Sequence, residues 1–568
     1  MEITMSLLLM LGGVAVFMYG MKQMSQGIEQ SAGAGVRRLF ASISKNRVMD
    51  YGVGIAATAI VQSSSASSIM TVGLANAGIV TVKQGAGIIL GAKVGTTLTA
   101  FIFAMSGLSH GGFSISAVFA VTAFVGVLIT YTTSNDTLVK LSRFLTGFGM
   151  LFIGLEVMEF AIGGKDSVLS TELTKIFQFG FMQNPILLML IAIVFTGFIL
   201  QSSTAATGLF LAFLATGVVQ SLDQAFFLVM GANIGTCSDG LMAAIGSNAK
   251  GKRIAVFHVL TSTMGAAAFS VILMLFRAPI IGLFESVFPD NPQWSLATYN
   301  LAYNAIYTLS LLALRDPLVG LVTRLVKDRQ EKMEQVFFID DRLLATPSVA
   351  IEQALKEVAN MAALARENLD CAFASLVNED MSQSKKIADR EYRIDHITRA
   401  LASFFIKISS TITSAGDEKL IGGLHHVIND IERLGDYAVL LIQETNDMKQ
   451  RDAHFVEQTQ AELREIYGQI SEMFGISLEA FQQRETKNLK QISSIHKGII
   501  KRIRDLRDVH VDRLTHQMYS VEVSKSLYNV LFSLQRVADH IVNMGFSIRS
   551  NTGSKVEAFQ SMEKNAKK

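Results

Sequence analysis

Gln62-Ser63-Ser64-Ser65-Ala66 interrupts an apolar stretch at 51–80, and Gln201-Ser202-Ser203-Thr204-Ala205 interrupts another at 184–219, 139 positions later. A polar knot inside hydrocarbon costs several kcal/mol for each unsatisfied group, so each knot needs partners. The economical reading is a pair of re-entrant hairpins whose tips stop near the midplane. Irregular backbone is tolerated at that depth only where it lines a protein cavity. A second motif repeats in step. Gly91-Ala92-Lys93-Val94-Gly95-Thr96-Thr97 returns 140 positions on as Gly231-Ala232-Asn233-Ile234-Gly235-Thr236-Cys237. Phe17-Met18-Tyr19-Gly20-Met21 is echoed weakly by Leu151-Phe152-Ile153-Gly154-Leu155.

The surrounding chain supports a membrane setting. Of its 568 residues half are hydrophobic and 17% charged, below the about 25% of ordinary soluble proteins. The deficit is uneven: residues 1–330 hold 19 Lys/Arg and 14 Asp/Glu, about 10%, while 331–568 hold 31 and 34, about 27%. The expectation is therefore an all-α chain with a polytopic membrane domain at 1–330 and a water-soluble helical region after it. Five apolar stretches approach the ~20 residues of a span: 5–21, 113–132, 145–162, 254–276 and 299–322. Two more, 84–105 and 225–245, carry the Gly-rich motifs. Three full spans separate the two copies, and an odd number inverts the second, giving inverted repeats at about 5–132 and 143–276 with a final helix at 299–322. Such repeats place substrate near the midplane between the halves.

Loop charge gives an orientation. Lys22, Arg37, Arg38, Lys45, Arg47, Lys140, Arg143, Lys250, Lys252 and Arg253 fall on one side, and Lys165, Lys175 and Arg277 on the other. The positive-inside rule then puts the N-terminus outside and the C-terminal region in the cytoplasm, in a multi-pass protein of the cell membrane. The start of the chain has neither a basic region nor an Ala-x-Ala exit, so its apolar run is expected to be a membrane helix rather than a cleaved signal. Cys237 and Cys371 fall one in each region, which argues against an internal disulfide framework. A net charge of +2 gives no sign of a nucleic-acid partner.

After Pro347 no proline interrupts the chain, and apolar residues recur at three- and four-residue spacing. Ser348 is the expected helix cap. Glu432-Arg433-Leu434-Gly435-Asp436 returns 103 positions later as Gln535-Arg536-Val537-Ala538-Asp539, so two tandem three-helix repeats are expected over 345–550, with a flexible tail at 551–568.

Hydroxyl and amide oxygens suit a hard cation such as Na+, and hydroxyls with backbone N–H groups at helix starts suit an oxyanion. A broken hairpin offers both. At these residues the chain resembles the type II sodium–phosphate cotransporter family over about 5–325. The resemblance implies phosphate-binding roles for Gln62, Ser63, Ser64, Ser65, Gln201, Ser202, Ser203 and Thr204, with Lys93 and Asn233 beside them. It implies Na+ ligands among Gln62, Ser63, Thr96, Gln201, Ser202, Asn233 and Thr236, with Thr97 in support. Lys93 stands where the family has asparagine. Its ammonium must meet a cavity or counter-ion such as Asp239, and it could replace a bound sodium. Glu156, with Lys165 near, is another ionisable group in an apolar span, and His258 reads as structural.

Over about 345–550 the chain resembles PhoU, a phosphate-signalling helical protein. That resemblance implies a divalent metal on Glu391, Asp395, Glu432 and Asp436, acids paired one helical turn apart. The second repeat has Gln535, Lys497 and Lys501 there, so at most one such site is expected. The expected partners are phosphate-signalling proteins or a second copy of the chain.

The expectation is sodium-coupled secondary transport of inorganic phosphate, regulated by the PhoU-like region. The alternatives are transport or export of phosphate or another oxyanion with proton coupling through Asp239 or Glu156, and a membrane phosphate sensor without flux. No nucleotide loop of the Gly-x4-Gly-Lys-Ser/Thr kind is present, and no nucleophile–base spacing suggests an enzyme.

Overall fold

The computed structural model describes residues 2–41, 46–105, 109–110, 113–133, 135–163, 168–180, 182–289, 291–327, 338–411, 415–483, 486–515 and 520–547. The chain divides into two compact units: 1–336 with 340–349, and 337–339 with 350–568. Helices dominate both, and among the described residues the strands are one two-residue ladder, β1 (Ser109–His110) against β2 (Phe113–Ser114).

The first unit opens with α1 (Glu2–Ala41), then α2 (Arg47–Val61), α3 (Ser64–Asn76), α4 (Val82–Ala104) and α5 (Ile115–Thr132). The second copy follows as α6 (Asp136–Ile162), α7 (Val168–Gln178), α8 (Pro185–Val194), a π-turn Phe195–Leu200, α9 (Ser203–Ala215), α10 (Leu222–Gly235), α11 (Cys237–Ala244) and α12 (Ala249–Leu275). α13 (Arg277–Val287), α14 (Pro292–Ala313) and α15 (Arg315–Leu325) complete it. Five helices are long and apolar enough to cross a membrane, Ile3–Ile28, Val82–Ala104, Thr137–Ile162, Leu222–Ala244 and Ala249–Leu275, so the protein is multi-pass.

Glycine sets how these helices meet. Gly13, Gly20 and Gly27 recur every seven residues on α1. A Cβ on them would collide with α6 at Met158, Leu151 and Phe144 respectively. Rising numbers on one helix meet falling numbers on the other, so the first helices of the two copies run antiparallel, as an inverted repeat requires. With no water to expel between lipid-facing helices, this close backbone approach is what van der Waals packing rewards. The Gly-rich motifs act likewise. Gly91 sits against the Tyr51 carbonyl and Gly95 against that of Ile55, while Gly231 and Gly235 sit against those of Met189 and Ile193. Each hairpin is thus pressed onto the helix that follows it.

Two expectations need correction. Lys22 is not in a loop, because α1 continues to Ala41 with Met24 fully buried beyond it. The span expected at 299–322 is broken, with α14 and α15 meeting at 78°. Pro317 lacks an N–H and its ring clashes with the carbonyl four residues back, Ala313, where α14 ends. Pro279 and Leu275 do the same between α12 and α13. At the break Arg315 reaches the buried Asp50 at 3.3 Å.

A 3-10 turn, Asp341–Ala345, packs on α3 within the first unit, with Leu343 fully buried. Arg342 donates to the carbonyls of Ala243 and Ile245, and Asn76 donates to Asp340 at 2.6 Å.

Among the described residues the second unit holds six helices: α16 (Pro347–Asn378, entering from the first unit), α17 (Ser384–Ser409), α18 (Ala415–Gln450), α19 (Glu457–Gln483), α20 (Leu489–Thr515) and α21 (Val521–Phe546). α16 starts one residue before the expected Ser348 cap, with Pro347 at its first position, where a missing N–H costs nothing. The expected tail at 551–568 lies outside the described residues.

Candidate functional site

Both knots adopt one local geometry. Gln62 (φ 57°) and Gln201 (φ 49°) are the non-glycine residues of positive φ among the described residues of the membrane unit. Left-handed backbone at such a residue costs on the order of 1–3 kcal/mol and clusters at functional sites. Here it turns the chain so that α3 and α9 start at the tip. The next residue caps each new helix: Ser63 accepts from the Ala66 N–H at 3.1 Å, and Ser202 from that of Ala205 at 3.2 Å. A capping oxygen in this role leaves its own hydroxyl proton free to donate.

The two tips meet. The hydroxyl oxygens of Ser64 and Ser203 are 3.4 Å apart. Beside them lies a cavity of about 250 Å³ lined by Gln62, Ser63, Ser64, Ser65, Ser202, Ser203 and Thr204, with Lys22, Ser25 and Gln26 of α1. Two helix N-termini and a lysine therefore share one space. Unpaired N–H groups and the positive end of the helix dipole favour an anion there. The volume exceeds the 10–15 Å³ needed for one water, which leaves room for a tetrahedral oxyanion and some of its hydration.

The first tip is the more tightly held. Gln62 donates to the Ala59 carbonyl at 2.7 Å and accepts from Thr99 at 3.0 Å, while Ser65 donates to Asp239. Gln201 does not line the cavity and is exposed.

Lys93 is also outside that cavity. It lines a second, far smaller space of about 10 Å³ with Thr96, Thr97, Ser203, Thr204, Asn233 and Asn300. Its buried ammonium donates to the Asn233 carbonyl at 2.7 Å. Asn233 in turn donates to Asn300 at 3.2 Å, and Asn304 to the same oxygen at 2.8 Å. Sequence reasoning missed two groups of contributors. Lys22, Ser25 and Gln26 continue the helical spacing of an apolar run, and Asn300 with Asn304 form an amide pair one turn apart in an apolar helix. His258 is buried, with no hydrogen-bond partner at Nδ1 among the described residues.

The metal site expected in the second unit is not assembled. Among the described residues no group of three or more His, Cys, Asp or Glu side chains is arranged to hold a metal ion. Asp436 is paired with Arg433 at 3.0 Å. Glu391 fills the space that Gly435 leaves by having no side chain, and neither of its carboxyl oxygens has a hydrogen-bond partner among the described residues. Burial, then the neighbouring Asp436, Asp395 and Glu432, push its pKa up to about 8. A carboxyl that holds its proton near neutrality is a poor metal ligand.

Comparison with known proteins fits this geometry. A protein of Salmonella typhimurium provisionally named inorganic phosphate export protein YjbB is 23% identical over 96% of this chain and 97% of its own. The Synechocystis phosphate-specific transport system accessory protein PhoU homolog is 27% identical over 34% of this chain and 87% of its own. Human sodium-dependent phosphate transport protein 2B is 31% identical over 17% of this chain and 15% of its own. Residues 16–160 and 164–293 match the family described as Na+/Pi-cotransporter, and residues 358–445 match the PhoU domain. The membrane region of this chain belongs to the Na+/Pi-cotransporter family, and a PhoU domain follows it in the same polypeptide.

Proposed function

We propose that this protein carries inorganic phosphate across the cell membrane by binding it between the two hairpin tips, with sodium as the coupling ion. The observation that carries the reading is the single cavity onto which both Ser-rich knots and Lys22 open. Phosphate is an acceptor-rich anion. The hydroxyls of Ser63, Ser64, Ser202, Ser203 and Thr204, the first N–H groups of α3 and α9, and the Lys22 ammonium are all donors. Ligands drawn from both repeats give alternating access a simple form: rocking one half against the other uncovers the same site on either side.

Sodium as the coupling ion rests on the family's description and on the name of the human relative. Orientation rests on the distribution of Lys and Arg, which puts the N-terminus outside and the PhoU domain in the cytoplasm. That domain regulates rather than conducts, since about 27% of its region is charged.

Net export is a second reading, favoured by YjbB, whose name speaks of phosphate export and which spans both domains. The site itself is indifferent to direction, which the gradients set. Radiolabelled phosphate flux in proteoliposomes tests both readings. Saturable flux that follows a sodium gradient supports the first, sodium-indifferent efflux the second, and saturable binding without flux contradicts transport.

A further inference from the structure

The two repeats part company at matched positions, Lys93 and Asn233. α4 runs unbroken through its motif, with the Thr96 and Thr97 hydroxyls donating back to the carbonyls of Ala92 at 2.9 Å and Val94 at 2.7 Å. α10 and α11 meet at Thr236, a one-residue interruption within the span Leu222–Ala244. Around that break the Asn233 carbonyl accepts from the Thr236 hydroxyl at 3.0 Å and from the Lys93 ammonium at 2.7 Å. The same ammonium is 3.4 Å from the Thr236 oxygen and 3.9 Å from the Cys237 sulfur. Lys93 is only 3% exposed.

A carbonyl and a hydroxyl oxygen brought together at such an interruption form a ligand set for a small hard cation. Here a cation is present, supplied by the other repeat on a four-carbon stem. The neighbouring cavity of about 10 Å³ has room for no more than about one water-sized particle. An ammonium and an alkali ion held by the same two oxygens would stand within a few ångströms of each other in a low-dielectric site, which their repulsion forbids.

Given the phosphate-transport reading, on which this inference rests, we propose that Lys93 is a tethered cation. Its ammonium occupies the cation position at the end of α10, so the cycle runs with one alkali ion fewer than a site with asparagine at both matched positions would need. A charge fixed to the chain beside the binding site balances phosphate without being carried across as cargo.

The test uses the full-length protein in proteoliposomes, with sodium varied against choline. Lys93→Asn is expected to raise the sodium Hill coefficient of phosphate flux by about one. It should also gain 22Na+ binding that a further Thr236→Val removes. Lys93→Met, neutral and without oxygen ligands, should lose flux without gaining a sodium response. A Lys93→Asn curve that superimposes on the wild type, at unchanged phosphate affinity, overturns the proposal. Should Lys93→Asn fail to fold, the wild type decides: 22Na+ binding that Thr236→Val abolishes means the position already holds sodium and overturns it, whereas binding indifferent to Thr236→Val supports it. Absence of phosphate flux in the wild type refutes the transport reading instead, and the 22Na+ comparison still decides the assignment of Lys93.

Discussion

The hydroxyl oxygens of Ser64 and Ser203, 139 positions apart in sequence, lie 3.4 Å from each other. Each belongs to the first turn of the helix that leaves its hairpin tip. Antiparallel α1 and α6 relate the two copies by inversion, and this pair marks where the inverted halves touch. A ligand at that point feels both repeats at once.

Gln62 and Gln201 hold the left-handed turns at the tips. Replacing Gln62, which lines the cavity, with alanine should lower phosphate flux at least about tenfold, the effect of losing about 1.4 kcal/mol at one site. Gln201, outside the cavity, separates strain from function. Glycine takes the positive φ freely, so in Gln201→Gly thermal stability should hold or rise and flux should persist. Normal flux in Gln62→Ala would remove that side chain from the mechanism.

Gly91 and Gly231 should tolerate no side chain. Each sits against the carbonyl of a hairpin helix, at Tyr51 and Met189. Overpacking of this kind costs about 1–3 kcal/mol. Gly91→Val and Gly231→Val should each lower the midpoint of thermal unfolding in detergent, together with flux. Gly52, with open space around its Cα, is the control, and Gly52→Ala should leave both unchanged.

The 3-10 turn at Asp341–Ala345 belongs with the membrane unit. A chain ending after Val349 keeps it and should retain flux without the PhoU domain. A chain ending at Gln330 uncovers the seat of Leu343, whose burial is worth about 1.5–3 kcal/mol, and should unfold at lower temperature. Equal midpoints for the two truncations would show that the turn does not brace α3.

Glu391 makes the PhoU domain sensitive to pH. Its folded pKa, about 8, stands above the ordinary 4.5. Its contribution to stability is therefore fully present below about pH 4.5 and is lost as pH rises through about 8. Hydrogen-exchange protection of α17 and α18, corrected for the intrinsic rate, should decline over that window in the wild type. Glu391→Gln should flatten the decline, and an unchanged profile would contradict the assignment.

Much of this was legible in the sequence, because a polar knot in an apolar run has few structural explanations and a duplicated one fewer still. The hairpins, the inversion and the six-helix region follow from such patterns. Lys22 did not, since a helix that leaves an apolar run for Lys22-Gln23 reads as a loop until Met24 and Gly27 are seen packed on α6. The breaks at Leu314 and Phe276 were visible in Pro317 and Pro279, but hydropathy averages over single residues. The resemblance to PhoU implied a metal on the paired carboxylates, whereas burial of Glu391 is a tertiary fact that spacing cannot carry.

The most direct test of the central claim is a cross-link between the tips. In a Cys237→Ala, Cys371→Ala background, Ser64→Cys with Ser203→Cys should form a disulfide on mild oxidation, phosphate should slow its formation, and the oxidised protein should carry no phosphate until reduced. Cross-linking at the same rate in saturating phosphate, with full flux afterwards, would contradict a phosphate site between the two tips.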